Sequence, residues 1–342
     1  MLLVIFGAGA SYDSVPFLSP AIGAGADEEF RPPLAKDLFG PRQHFLNAMR
    51  GFPKMRPIVP WLAQMPGVSS VERVLQDLQD EATDYPERHC QLAAVRYYLQ
   101  LVLWGCDSRW NDLSQGVSNY TTLLDQIRRW RKPQDQVCLV TFNYDRLLEK
   151  AMTSVGMTIN SISDYVSHDV FKVIKLHGSV HWAREVDSPV SNLRERNSWD
   201  IANELIERVG ELKISDRYRL VTEHPISKAE DVVLFPALAI PTESKRDFEC
   251  PNDHVEVLQD FLPKVSKILV IGWRATEKPF LQMLTRYLKQ GVQVFIVAGS
   301  VENAREPEGS LRSARITGTF SIGPWGFTEF IRQREADAFL RT

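Results

Sequence analysis

Val137-Cys-Leu-Val-Thr-Phe-Asn143-Tyr-Asp145-Arg-Leu-Leu-Glu-Lys-Ala-Met152 reads as a strand handing over to a helix. Its first half, Val137 to Phe142, is a short apolar, β-branched run of the kind buried in a parallel sheet. Its second half sets Leu147, Leu148 and Ala151 at helical spacing, with Arg146 and Glu149 on the other face. Between the halves stands Asn143-Tyr144-Asp145, at the carboxyl end of the strand, where open α/β sheets meet their ligands. Capping of the following helix is the competing role for Asn143 or Asp145.

Two further stretches end in the same way. Leu2 to Phe6 is an apolar strand running into Gly7-Ala8-Gly9-Ala10-Ser11, a turn that lets backbone amides approach a phosphate. A plain glycine-rich turn would look the same. Tyr12 stands where the dinucleotide fingerprint has its third glycine, which argues against a dehydrogenase. Val170 to Leu176 is again strand-like and ends on His177-Gly178-Ser179. A lone histidine there would be structural; three strand ends bearing Gly-x-Gly-x-Ser, Asn-x-Asp and His-Gly specify far more together. The strand–helix alternation predicts an α/β fold: a doubly wound, mostly parallel, Rossmann-like sheet with a helical insertion.

Working outward, Lys267 to Ile271 is a core strand leading into Gly272-Trp273-Arg274, and Val292 to Val297 is the last clear parallel-type strand. Val232 to Phe235 is a further strand, and Phe327, Phe330 and Ile331 mark a closing helix. Leu34 to Met49 reads as a helix, and Ser69-x-x-Glu72 as a capping box opening one with Val71, Val74, Leu75 and Leu78. Leu92, Val95, Leu99, Val102 and Cys106 stripe a longer helix from near Pro86, and Tyr120, Leu123, Leu124 and Ile127 another. These stripes are core rather than cofactor boxes. The expected organisation is one domain: a core of about 1–40, 132–182 and 231–342, a helical insertion of about 41–131, and a variable polar insertion of about 183–230 with one helix around Trp199–Arg208. Tyr12 to Pro33, which holds a second Gly-Ala-Gly at 23–25, reads as a loop over the crevice, and Pro236 to Pro251 as a polar loop in which Thr242 to Arg246 could meet a ligand.

With 44% hydrophobic residues the chain of 342 can bury a large core, and a formal charge of −3 gives no drive towards nucleic acid. Cys90, Cys106, Cys138 and Cys250 form no Cys-x-x-Cys pair, as expected of reduced thiols in a cytosolic protein. His168, His181 and Cys250 lack structural-zinc spacing. No signal peptide is read before the first strand, and no apolar run approaches the roughly 20 residues of a membrane span. A cytoplasmic protein without membrane contact is expected.

Gly7-Ala8-Gly9-Ala10-Ser11, Thr141-Phe142-Asn143-Tyr144-Asp145 and Leu176-His177-Gly178-Ser179 together resemble the sirtuin-like proteins, specifically their zinc-free, NAD-consuming branch in prokaryotic anti-phage systems. Arg31-Pro-Pro-Leu, Ser70-Val-Glu-Arg-Val-Leu and Ile268 to Gly272 extend the resemblance from residue 2 to about residue 300. The four-cysteine zinc module of sirtuin deacylases is missing from the sequence after the His-Gly motif, so no metal is expected. The resemblance implies that NAD is the substrate and that the nicotinamide N-glycosidic bond is hydrolysed to nicotinamide and ADP-ribose. It assigns Gly7, Ala8, Gly9 and Ser11 to the pyrophosphate, with Thr141, Gly178 and Gly272 in the same nucleotide site. Asn143 would hold the amide-bearing end or a water, Asp145 would orient it, and His177 would act as general base. Two departures stand out. Trp273 and Arg274 replace the hydroxyls that follow the family's glycine, with Arg274 suited to a pyrophosphate. Ala298-Gly299-Ser300 stands where the family often has an asparagine for the adenosine ribose. Control by homo-oligomerisation or by a partner, such as a translocase-type ATPase or an Argonaute-type nuclease, is implied, since unregulated hydrolysis would deplete the cell's own NAD. Two alternatives stay open: a nucleotide-sensing subunit without turnover, and an NAD-dependent protein deacylase.

Overall fold

The computed structural model describes residues 1–20, 29–63, 70–188, 190–242 and 248–341. Among these the strands are, in chain order, β1 (Leu2–Phe6), β2 (Val137–Thr141), β3 (Phe171–Lys175), β4 (Gly178–Asp187), β5 (Lys213–Leu220), β6 (Lys228–Ala229), β7 (Val232–Leu238), β8 (Lys267–Ile271), β9 (Val292–Val297) and β10 (Gly318–Gly323). The chain divides into two compact units, one of Met1–Pro32, Asp107–His177 and Asn252–Thr342, the other of Pro33–Cys106 and Gly178–Pro251. Their bounds cut across the segments expected from the sequence: the helical stretch 41–131 is shared between them, and 178–251 groups with the earlier helices.

The first unit is built on a six-stranded sheet in the order β10-β9-β8-β1-β2-β3. Every pairing in it is parallel, with Leu2 level with Val137 on one side and with Lys267 on the other. Strands covered on both faces must be apolar throughout, and β1 and β2 are buried along their whole length. The fold class is therefore the expected one. The chain winds outward from β1 to β2 and β3, then returns to lay β8, β9 and β10 on the other side. The switch point lies between β1 and β8, the place where open α/β sheets meet their ligands. Helix Asn119–Trp130 starts where Ser118 accepts the Tyr120 amide, and its buried face is the predicted Tyr120, Leu123, Leu124 and Ile127 stripe. The closing helix is two, Gly326–Arg332 and Glu335–Arg341. β10 escaped the sequence reading because it is a largely exposed edge strand bracketed by glycines, with little apolar pattern.

The second unit carries an antiparallel sheet in the order β5-β4-β7-β6. Residues 183–230, expected as a variable polar insertion with one helix, also hold the end of β4 and all of β5, which pair with each other. Their charges meet across the ladder: Glu185 accepts from Arg217 and Arg219, and Arg184 from β4 pairs with Asp216. The helix expected over 34–49 begins only at Gln43, after a short 3-10 turn at Ala35–Asp37 and the Gly40-Pro41 break. Ser70 caps the helix Val71–Glu81 by accepting from the Arg73 amide at 3.1 Å, whereas Ser69, the expected cap, lies outside the described residues. Helix Glu87–Ser114 runs from near the predicted start. The second Gly-Ala-Gly and residues 243–246 of the expected ligand loop also lie outside the described residues. No helix among the described residues is long and apolar enough to cross a membrane.

Candidate active site

At the switch point three glycines touch. A Cβ on Gly7 would stand 2.5 Å from the Gly272 carbonyl oxygen, and one on Gly9 would stand 2.9 Å from the Gly272 Cα. Gly272 itself takes a left-handed φ of +61°, which L side chains rarely adopt. The Gly7 amide donates to the Ile271 carbonyl at 3.0 Å and the Gly9 amide to the Gly272 carbonyl at 3.1 Å. Both N–H groups are thus engaged within the protein, and the glycines are required for two turns to approach each other. Ala8, exposed, opens the short helix Ala8–Tyr12. Arg274 is exposed on the turn after β8.

Asn143 follows β2 and is buried. Its amide nitrogen donates to the Gly7 carbonyl at 3.0 Å, to Ser11 Oγ at 2.9 Å and towards Tyr120 Oη at 3.3 Å. A carbonyl only accepts, so Gly7 fixes which way the amide faces and turns Oδ1 away from the turn. Among the described residues no donor reaches that oxygen. Thr141, also buried, accepts the Asn143 main-chain amide at 3.0 Å through Oγ1.

Ser11 Oγ lies 3.0 Å from Tyr120 Oη and near the buried Asp145 carboxyl. Burial pushes the Tyr120 phenol well above its ordinary value, so it keeps its proton. Tyr120 and Ser11 share a hydrogen bond in which either hydroxyl can donate. Burial also raises the Asp145 carboxyl to about 6, with the Asp107 charge adding to the effect. Lys175, Ser11 and the Leu147 amide act in the opposite direction. A carboxyl poised there changes charge just below neutral pH.

His177 follows β3, the neighbour of β2, and is 3% exposed. Its Nδ1 lies 3.2 Å from the Phe142 carbonyl oxygen. That contact requires the proton on Nδ1, which makes Nε2 the lone-pair nitrogen of the neutral ring. Phe142 packs against the His177 ring at 4.9 Å between centroids, and Tyr144 lies 6.0 Å away. Phe142 also stacks on Trp273, at 5.3 Å between centroids and 5° between planes. Trp273 donates to Glu277 at 2.6 Å.

The structure therefore brings Gly7, Gly9, Ser11, Thr141, Asn143, Asp145, His177 and Gly272 to one edge of the parallel sheet. Gly178 belongs to the second unit, where its φ is +74° and a Cβ would lie 2.0 Å from the Ala237 carbonyl oxygen. Tyr120 was read from the sequence only as part of an apolar stripe; nothing in the spacing marks its hydroxyl as a site group. Lys175 did leave a signal, a lysine inside an otherwise buried strand. Chemically the edge sets the Asn143 Oδ1 acceptor and the His177 imidazole beside a carboxylate. Such a set binds donors, takes up a proton and favours positive charge. Among the described residues no three His, Cys, Asp or Glu side chains are grouped to hold a metal ion.

No family model matches the chain, and no curated protein matches it. Among solved structures, Sir2Tm bound to a propionylated peptide is 13% identical with a TM-score of 0.42, covering 99% of this chain and 94% of that one. A Sir2 homologue in complex with NAD is 15% identical with a TM-score of 0.40, covering 98% and 90%. A mutant Sir2 homologue in complex with ADP-ribose is 15% identical with a TM-score of 0.41, covering 99% and 91%. At these scores the likeness carries no weight for the site, which rests on this chain's own residues.

Proposed function

We propose that the chain is an NAD hydrolase that cleaves the nicotinamide N-glycosidic bond, and that it serves as an anti-phage effector by depleting NAD. The observation that carries the reading is the 3.2 Å contact between His177 Nδ1 and the Phe142 carbonyl oxygen, which assigns the proton to Nδ1 and gives Nε2 the part of the base. Hydrolysis needs one water, whose oxygen bonds to the ribose as the bond to the nicotinamide nitrogen breaks. The electron pair leaves with nicotinamide, and His177 takes up the water's proton. Asn143 Oδ1 accepts from the carboxamide or from a hydroxyl of the adjoining ribose. Asp145, ionised above about pH 6, favours the positive charge that develops on the sugar. With the Gly7 and Gly9 amides engaged, the pyrophosphate falls to Ala8 and Arg274. The proposal includes control by self-association or a partner subunit.

The deciding measurement is nicotinamide release from NAD by the purified chain, alone and across a protein concentration series. Release that rises more than linearly with concentration is the expected result. NAD binding without release would leave a sensing subunit, and removal of an acyl group from a peptide with NAD consumption would leave a deacylase.

A further inference from the structure

The peptide bond between Asp145 and Arg146 is gripped at both of its polar atoms. Lys175 Nζ donates to the Asp145 carbonyl oxygen, and Asp107 Oδ1 accepts the Arg146 amide at 2.8 Å. Both gripping side chains are 0% exposed. Asp107 is held in turn by the Arg146 side chain, at 2.9 and 2.7 Å, and by Lys150 at 3.2 Å. Lys175 is held by Glu149 at 2.9 Å, and Tyr165 donates to the same carboxylate oxygen at 3.1 Å. The other oxygen, Glu149 Oε2, is buried without a partner among the described residues.

A buried ion pair of this sort is a poor source of stability, because desolvating two charges offsets their attraction and a packed apolar pair would serve as well. What an apolar pair could not do is hold a carbonyl and place a charge beside Asp145. Lys175 also stands two residues before His177, on the strand whose Leu176 amide pairs with the Thr141 carbonyl at 3.2 Å. One side chain therefore ties the histidine-bearing strand to the turn that bears Asn143 and Asp145. We propose that Lys175 and Asp107 are positioning residues: they clamp the Asp145–Arg146 peptide at its two ends and so fix Asn143 and Asp145 against His177, with Glu149 holding Lys175 in place. The proposal rests on the hydrolase reading for its catalytic consequence, though not for the clamp itself.

The charged and polar groups facing the Asp145 carboxyl are Lys175, Asp107, Ser11 and Tyr120, with the Leu147 amide. Lys175→Met alone would strand the Glu149 charge, so the test variant is Lys175→Met/Glu149→Gln. Its kcat for nicotinamide release should fall by about tenfold or more, with KM little changed, because positioning acts on the transition state. The acid limb of its pH–rate profile should move up by about one unit, since loss of a nearby cation raises a carboxyl pKa. Lys172→Met, on the same strand but bonded to the Val166 and His168 carbonyls, should leave both as in the parent. A double variant with the parent's kcat and acid limb overturns the clamp, and so does one that merely unfolds by near-UV circular dichroism. If the parent itself releases no nicotinamide, the hydrolase reading fails separately. The clamp is then read by 13C NMR titration of the Asp145 carboxyl: a rise in the double variant supports it, and an unchanged value overturns it.

Discussion

His177 and Asp145 are two titratable groups whose surroundings assign them different work. The Phe142 carbonyl sets the His177 tautomer, and Phe142 and Tyr144 flank the ring. His177→Ala should lower nicotinamide release by about 10²–10⁴-fold, the usual contribution of a general base, while leaving NAD affinity by calorimetry near the parent's. Near-normal release would withdraw the assignment, and loss of fold would make His177 a structural histidine. Asp145 offers a stability test. Its carboxyl is raised from 3.8 to about 6 in the folded chain. Within that window the folded state holds a proton that the unfolded state has released, so this group's contribution to stability falls as pH rises and is level above it. Asp145→Asn removes the dependence. Denaturant unfolding should find the variant gaining on the parent as pH rises through the window, with a constant difference at higher pH. A difference independent of pH would contradict the raised pKa.

The two glycine turns act as one element. They meet at the switch point because Gly7, Gly9 and Gly272 lack side chains, so the loss expected on enlarging Gly9 is one of packing before it is one of binding. Gly9→Val should destabilise the chain by about 1–3 kcal/mol, as overpacking does, with reduced nucleotide affinity as a consequence. Urea unfolding beside calorimetry separates the two effects. A variant of unchanged stability that no longer binds NAD would restore the phosphate-approach role. At the capped helix Val71–Glu81, Ser70→Ala should cost about 1 kcal/mol and leave turnover alone, since the bond to the Arg73 amide is local.

Across the whole molecule, the parallel sheet and the antiparallel sheet belong to separate compact units, and the site groups discussed above lie on the first, with Gly178 on the second. The cysteines are far apart in sequence, and among the described residues no donor cluster is arranged for a metal. We expect protein washed with a chelator to contain no stoichiometric zinc by elemental analysis and to keep its unfolding midpoint. Stoichiometric zinc would return attention to a deacylase.

Much of this was legible in the sequence because parallel strands buried on both faces have to be continuous apolar runs. Leu2–Phe6 and Lys267–Ile271 announce themselves with their ends, and the polar residues after such runs fall at the ligand edge of the sheet. Half-exposed elements were harder: β5 and β10 are exposed, charged or glycine-bracketed, and their strand character comes from pairing partners distant in sequence. The same holds within the site. That Asn143 and His177 stand at strand ends is written in local pattern. That Asn143 faces its amide to Gly7, that Ser11 meets Tyr120, and that Lys175 and Asp107 hold a single peptide are not. Those contacts join residues from 30 to 136 positions apart. Periodicity reports which face of an element is buried; which polar atoms meet there is decided only when the sheet closes and each buried group must find a partner.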